Sequence, residues 1–174
     1  SGNPLVEALG GSAVATVVLD GTTMTISNSG TMYGRVSGIW HKFGNGTMNF
    51  TNTGTVESPN ASFLGAGSVD KVTNRGVMIG KVDLGGGDDA YLGRFGQVSG
   101  DILGGAGNDR FVPGLFADII DGGDGFDTVD LSAEVTAITI DLTTPGGFTG
   151  AAALGDSYLS IEYIRTGSGA DLLI

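Results

Sequence analysis

LGGGDDAYL (84–92), GGAGNDRFV (104–112) and GGDGFDTVD (122–130) decide the fold of this chain. Aligned as nonapeptides, they place Asp89, Asp109 and Asp127 at the sixth position, 20 and 18 residues apart. The apolar residues keep the same register. Val82, Ile102 and Ile120 lie two residues before each nonapeptide, and Tyr91, Phe111 and Val129 lie two residues after each aspartate. Stacked coils turn both sets into inward ladders, burying what no single coil buries alone.

A second series precedes this one. ISNSGTM begins at Ile26, FTNTGTV at Phe50 and VTNRGVM at Val72, so Asn28, Asn52 and Asn74 are 24 and 22 residues apart. Each motif alternates apolar and polar residues and then meets a Gly, which reads as a short strand ending in a tight turn. A period of 22 to 24 suits one coil of a β-solenoid. Asparagine at equivalent coil positions forms a ladder of side-chain hydrogen bonds that satisfies buried turn backbone.

Downstream, AITIDL (137–142) and YLSIEYI (158–164) read as strands, separated by the loop TTPGGFTGAAALGDS. TGSGADLL then resumes the turn pattern at Asp171, 44 residues after Asp127. LFADII (115–120) is too short to propagate as a helix.

Composition fits a Gly-rich stack of strands. The 174 residues include 33 Gly, yet 40% are hydrophobic, which a disordered chain lacks. With no cysteine, disulfides and Cys-based zinc sites are excluded. No apolar run approaches the roughly 18 residues of a membrane span. No secretory leader is visible and the last residues stop in mid-pattern, so the chain reads as a piece of a longer protein. Residues 1–80 hold four acids and four bases, whereas 81–174 hold fifteen acids and four bases, so the whole net charge of -11 falls there. That sign argues against nucleic acid, which needs a basic footprint. The acids recur beside Gly pairs, which points to a cation.

Calcium takes six to eight oxygen ligands, mixing carboxylates with backbone carbonyls. A Gly-rich turn bends carbonyls toward one centre, because Gly tolerates positive φ. One turn cannot wrap an ion, but two stacked turns can. Three turns make two intervals, hence two expected sites. Stacked carboxylates without a cation repel, by about a kcal/mol per pair even at high dielectric.

The pattern G-G-x-G-x-D-x-U-x resembles the RTX (hemolysin-type) nonapeptide. GGAGNDRFV matches at every defined position; LGGGDDAYL lacks the first Gly; GSGADLL matches only in its later part. The resemblance covers roughly 82–130 and 158–174. It implies a parallel β-roll or β-helix with calcium between turns, held by the sixth-position Asp and the carbonyls of positions one to four. The ligands it implies are Gly85, Gly87 and Asp89; Gly104, Gly105, Ala106, Gly107 and Asp109; and Gly122, Gly123, Asp124, Gly125 and Asp127. It also implies type I secretion and folding outside the cell. The opposite-side segments GRFGQVSG and VPGLFAD lack the motif, so the calcium ladder is expected on one side only.

Other constellations carry less. His41, beside Trp40 and near Phe43, has no second His and reads as a surface-loop residue in a local packing cluster. Asp88 and Asp89 resemble a general acid–base pair, but Asp89 already belongs to calcium, so no catalytic site is expected. The expected architecture is all-β: a right-handed parallel β-solenoid, a β-helix running into an RTX-type β-roll. Residues 1–80 form calcium-free coils, 81–130 the calcium-binding coils, and 131–174 an extension re-entering a partial repeat. The expected function is that of a calcium-binding structural module of a larger secreted or cell-surface protein. The alternative is a helix that binds or modifies carbohydrate, such as a surface polysaccharide, and is braced by the same turns.

Overall fold

The computed structural model describes residues 5–8, 12–13, 15–17, 23–41, 46–141, 148–150 and 155–174. The chain is an all-β parallel solenoid of about five turns, with no helix among these residues. One long sheet stacks Leu5–Ala8, Met24–Asn28, Met48–Asn52, Asp70–Asn74, Ala90–Leu92, Arg110–Val112, Thr128–Asp130 and Tyr163–Arg165. The facing sheet runs through Thr31–Tyr33, Thr55–Leu64, Val77–Gly86, Ile102–Ala106, Ile119–Asp124 and Ser157–Leu159. The neighbouring strands within both pair in parallel. Each coil therefore donates its backbone hydrogen bonds to the coils above and below.

Alternation sets which side chains enter the core. In Met24–Asn28 and Met48–Asn52, every second residue is buried. Both predicted apolar ladders form in register. Val82 pairs with Ile102 and Ile102 with Ile120; Tyr91 pairs with Phe111 and Phe111 with Val129. All six are buried. The rows extend beyond the nonapeptides, to Phe63 and Val72 on one side and to Tyr158 and Ile164 on the other. Each fully buried side chain of this size contributes about 1.5–3 kcal/mol. Phe50 and Phe63 close the space between the sheets, stacked with centroids 6.0 Å apart.

The asparagine ladder is also present. Asn28 Nδ2 donates to Asn52 Oδ1 at 2.8 Å, and Asn52 Nδ2 donates to Asn74 Oδ1 at 2.9 Å. Each Oδ1 also accepts the N–H two residues on, from Gly30, Gly54 and Gly76. At the next coil a hydroxyl ends the series: Tyr91 Oη accepts from Asn74 Nδ2 at 3.4 Å. Gly93 makes room for it, since a Cβ there would meet the Tyr91 hydroxyl.

Three readings change. YLSIEYI is two strands in different sheets, Ser157–Leu159 and Tyr163–Arg165, with Ser160 between them at φ 51°. Residues 160–162 turn the corner that a single strand would have crossed. AITIDL shortens to Thr139–Ile140, which joins a separate three-stranded sheet with Phe148–Thr149 and Leu172–Leu173. Leu142, most of the loop after it, and Phe43 lie outside the described residues. His41 is no surface-loop residue: it ends the strand Ser37–His41, fully buried. The strand Val77–Gly86 runs across residue 80, and both sheets continue on either side of it.

Candidate metal centre

Each nonapeptide begins in a strand of one sheet and ends at a strand of the other, so its first six residues form one corner. Register fixes the length of that corner. Asp83, Leu103 and Asp121 pair before it, and Ala90, Arg110 and Thr128 pair after it. Six residues lie between in every coil: 84–89, 104–109 and 122–127. Gly85 and Gly87, Gly105 and Gly107, and Gly123 and Gly125 all have positive φ, from 95° to 146°. The second and fourth positions thus adopt a conformation that L side chains avoid. At Gly105 a Cβ would also collide with the Gly85 carbonyl of the coil below.

The three sixth-position aspartates stack as expected, each at most 2% exposed. Asp89 N–H donates to Asp109 Oδ1 at 2.8 Å, and Asp109 N–H donates to Asp127 Oδ1 at 2.8 Å. With Asp89 Oδ1 accepting from Asp70 N–H, each carboxylate has one oxygen satisfied. The other is not: Oδ2 of Asp89, Asp109 and Asp127 is buried without a hydrogen-bond partner. Such orphans are rare in folded proteins and call for an ion or water. The Oδ2 atoms of Asp109 and Asp127 lie over Gly104 and Gly122, where the missing side chain leaves them facing a carbonyl of the next coil, Gly122 O and Ser160 O.

Not every implied ligand is equally free. The Ala106 carbonyl accepts from Gly87 N–H at 2.7 Å, and the Asp124 carbonyl from Gly107 N–H at 2.8 Å. The Asp124 side chain is exposed. Asp88 turns outward, its Oδ1 accepting from Asn108 N–H, so it does not face the Asp89 carboxylate across a cleft. Among the described residues, no three His, Cys, Asp or Glu side chains gather around a common point. An ion here has to draw most of its ligands from backbone carbonyls, which suits a hard cation such as calcium.

The ladder is longer than the motif. Asp70 N–H donates to Asp89 Oδ1 at 2.6 Å, and Asp127 N–H donates to Glu162 Oε2 at 2.8 Å. Asp70 is fully buried and its Oδ2 is also without a partner. Sequence reading missed it because GAGSVD (65–70) keeps the first Gly and the sixth Asp but lacks the second and fourth Gly. Phe63 and Val72 were the available signal, holding the flanking apolar positions of the nonapeptides. Asp171 stacks elsewhere: its Oδ1 accepts from Ile138 N–H at 3.1 Å, on a later coil.

The opposite corner is a useful contrast. Asp118 N–H donates to Asp156 Oδ1 at 2.9 Å, and Tyr158 Oη donates to Asp156 Oδ2 at 2.7 Å. Asp118 Oδ2 accepts from Gly114 N–H. No motif marks this pair in the sequence. Burial raises these carboxyls too, Asp118 to about 6 and Asp156 to about 7, but neither has a buried oxygen left without a hydrogen-bond partner.

Burial raises the carboxyl groups of the main ladder: Asp89 to about 8, Asp70 to about 7 and Asp109 to about 6. Neighbouring acids push the same way at Asp89 and Asp109. The folded values exceed the unfolded ones, so the metal-free chain takes up protons on folding. The stability these three groups contribute is full below about pH 4 and is lost as pH rises through 6 to 8. In chelator, the melting temperature is expected to fall by about 5 °C or more between pH 5 and pH 8. A metal-free melting temperature that rises over that range would show that these carboxyls are not raised.

No protein-family model matches the chain, and comparisons with curated proteins and with solved structures find no match either.

Proposed function

We propose that this chain is a calcium-binding structural module of a larger secreted protein of the RTX kind, one that rigidifies on extracellular calcium. The observation that carries the reading is the row of buried, unpartnered Oδ2 atoms on Asp89, Asp109 and Asp127, beside turns whose glycines hold positive φ. At the opposite corner Asp118 and Asp156 leave no buried oxygen unpartnered, so the fold does not by itself require orphaned carboxylates.

Asp89, Asp109 and Asp127 would hold the ions through Oδ2. Carbonyls of Gly85, Gly87, Gly104, Gly105, Gly107, Gly122, Gly123 and Gly125 would complete the shells. A bound calcium ion would supply the positive charge that burial and like-charged neighbours otherwise withhold from this stack. The glycine turns contribute by presenting oxygens without side chains in the way. The module acts as a brace and carries no catalysis, since its adjacent acids, Asp88 and Asp89, face different surroundings. The carbohydrate alternative has less to stand on. A hollow of about 230 Å³ lined by Thr73, Arg75, Arg94 and Phe95 offers guanidinium groups and a ring, but no carboxylate.

Thermal melts in calcium and in chelator test the reading. Two sites at a hundredfold excess over Kd contribute about 5 kcal/mol, which raises the melting temperature by about 10 °C or more. Magnesium, which demands small octahedral shells, is expected to give far less. Equal melting temperatures in calcium and chelator would remove the proposal.

A further inference from the structure

We propose a third cation site, outside the nonapeptides, between turns 65–70 and 84–89, with His41 closing the end of the ladder. The inference rests on the calcium reading and extends it to a turn that the motif does not reach.

Turn 65–70 repeats the corner in length and register. Leu64 pairs with Asp83 and Lys71 pairs with Ala90, so six residues lie between, as in the later coils. The missing side chain of Gly65 faces Asp70 Oδ2 and the Leu84 carbonyl of the next coil. Gly104 faces Asp109 Oδ2 and Gly122 O, and Gly122 faces Asp127 Oδ2 and Ser160 O, in the same arrangement. Asp70 Oδ2 is buried and unpartnered, as Oδ2 is in Asp89, Asp109 and Asp127. Ala66 and Ser68 replace the two positive-φ glycines, so this turn cannot aim its carbonyls as its neighbours do. Ser68 Oγ, in the same turn, is itself buried and without a partner, and so is a further oxygen open to an ion. The expected ligands are therefore Asp70 Oδ2, Ser68 Oγ and the Leu84 carbonyl, together with Asp89.

Among the described residues the ladder ends at this point. In the preceding coil, Met48 occupies the register of Asp70 and offers no carboxylate. Met48 N–H reaches Asp70 Oδ1 at 3.3 Å, and His41 Nδ1 lies 2.7 Å from the same oxygen. His41 thus occupies the place of a further rung and orients the last acid. At the other end only residues 160–162 face the six of turn 122–127, too short a segment for another cradle.

Calcium stoichiometry by titration calorimetry on the whole chain, with terbium emission excited through Trp40, tests this. Trp40 is the only tryptophan and adjoins His41, so it reports an ion at the Asp70 end. The expected result is three ions for the unaltered chain, two for Asp70→Asn, and loss of Trp40-sensitised emission in that variant. Two ions for the unaltered chain, with emission unchanged by Asp70→Asn, would overturn the third site and leave the nonapeptide sites standing. No ions at all would overturn both. If Asp70→Asn does not fold, Ser68→Ala decides: a third ion weakened about tenfold supports the site, and unchanged binding overturns it.

Discussion

Asp109→Ala is expected to abolish most of the calcium-dependent stability, about 5 kcal/mol, while costing much less in chelator. Asp109 stands between two stacked intervals, one toward turn 84–89 and one toward turn 122–127. Removing its carboxylate takes a ligand from both. In chelator the balance differs. The variant loses an acceptor for Asp89 N–H, worth about 1 kcal/mol, but also removes a buried acid that burial disfavours when charged. The readout is therefore the gap between melting temperatures with and without calcium, not either temperature alone. Asp118→Ala on the opposite corner is the control. It removes the acceptor of Gly114 N–H and should lower both temperatures together, leaving the gap intact. Asp127→Ala should narrow the gap by less than Asp109→Ala, because Asp127 lies at the last full turn. A gap that survives Asp109→Ala unchanged would show that these carboxylates do not hold the ion.

Asn52→Ala should cost about 3–5 kcal/mol, and equally in calcium and in chelator. Asn52 is the middle rung of the asparagine ladder and is fully buried. Its loss leaves Gly54 N–H without its side-chain acceptor and takes one of two acceptors from Asn28 Nδ2. It also withdraws the donor to Asn74 Oδ1 and to the Val77 carbonyl. Each buried group left unmet costs about 1–3 kcal/mol, and the missing volume adds a cavity. Chemical denaturation of the variant in both conditions measures this. A loss that appears only without calcium would mean that the two halves of the solenoid are not distinct in what holds them.

Much of this was legible because a solenoid writes its geometry as periods. The spacing of Asn28, Asn52 and Asn74 and of Asp89, Asp109 and Asp127 gave coil register directly, since each coil returns the chain to the same place. The inward rows through Val82 and Tyr91 followed for the same reason. What the periods hid were substitutions that keep a position's role while changing its residue. Asp70 sits on the aspartate ladder, but its turn lost the glycines by which the ladder is recognised. His41 looked like a lone surface residue because its partner, Asp70, is 29 residues away. Ser160 breaks YLSIEYI at φ 51°, a conformation that its alternating pattern does not announce. Asp118 and Asp156 carry no repeat at all; only the fold brings them together.

Hydrogen exchange along the backbone, measured with calcium and with chelator, tests the central claim most directly. The account predicts that calcium slows exchange across turns 84–89, 104–109 and 122–127. It predicts little change in the strands Met24–Asn28 and Met48–Asn52, which the asparagine ladder and the apolar core hold without metal. Exchange at those turns that is the same with and without calcium would contradict it.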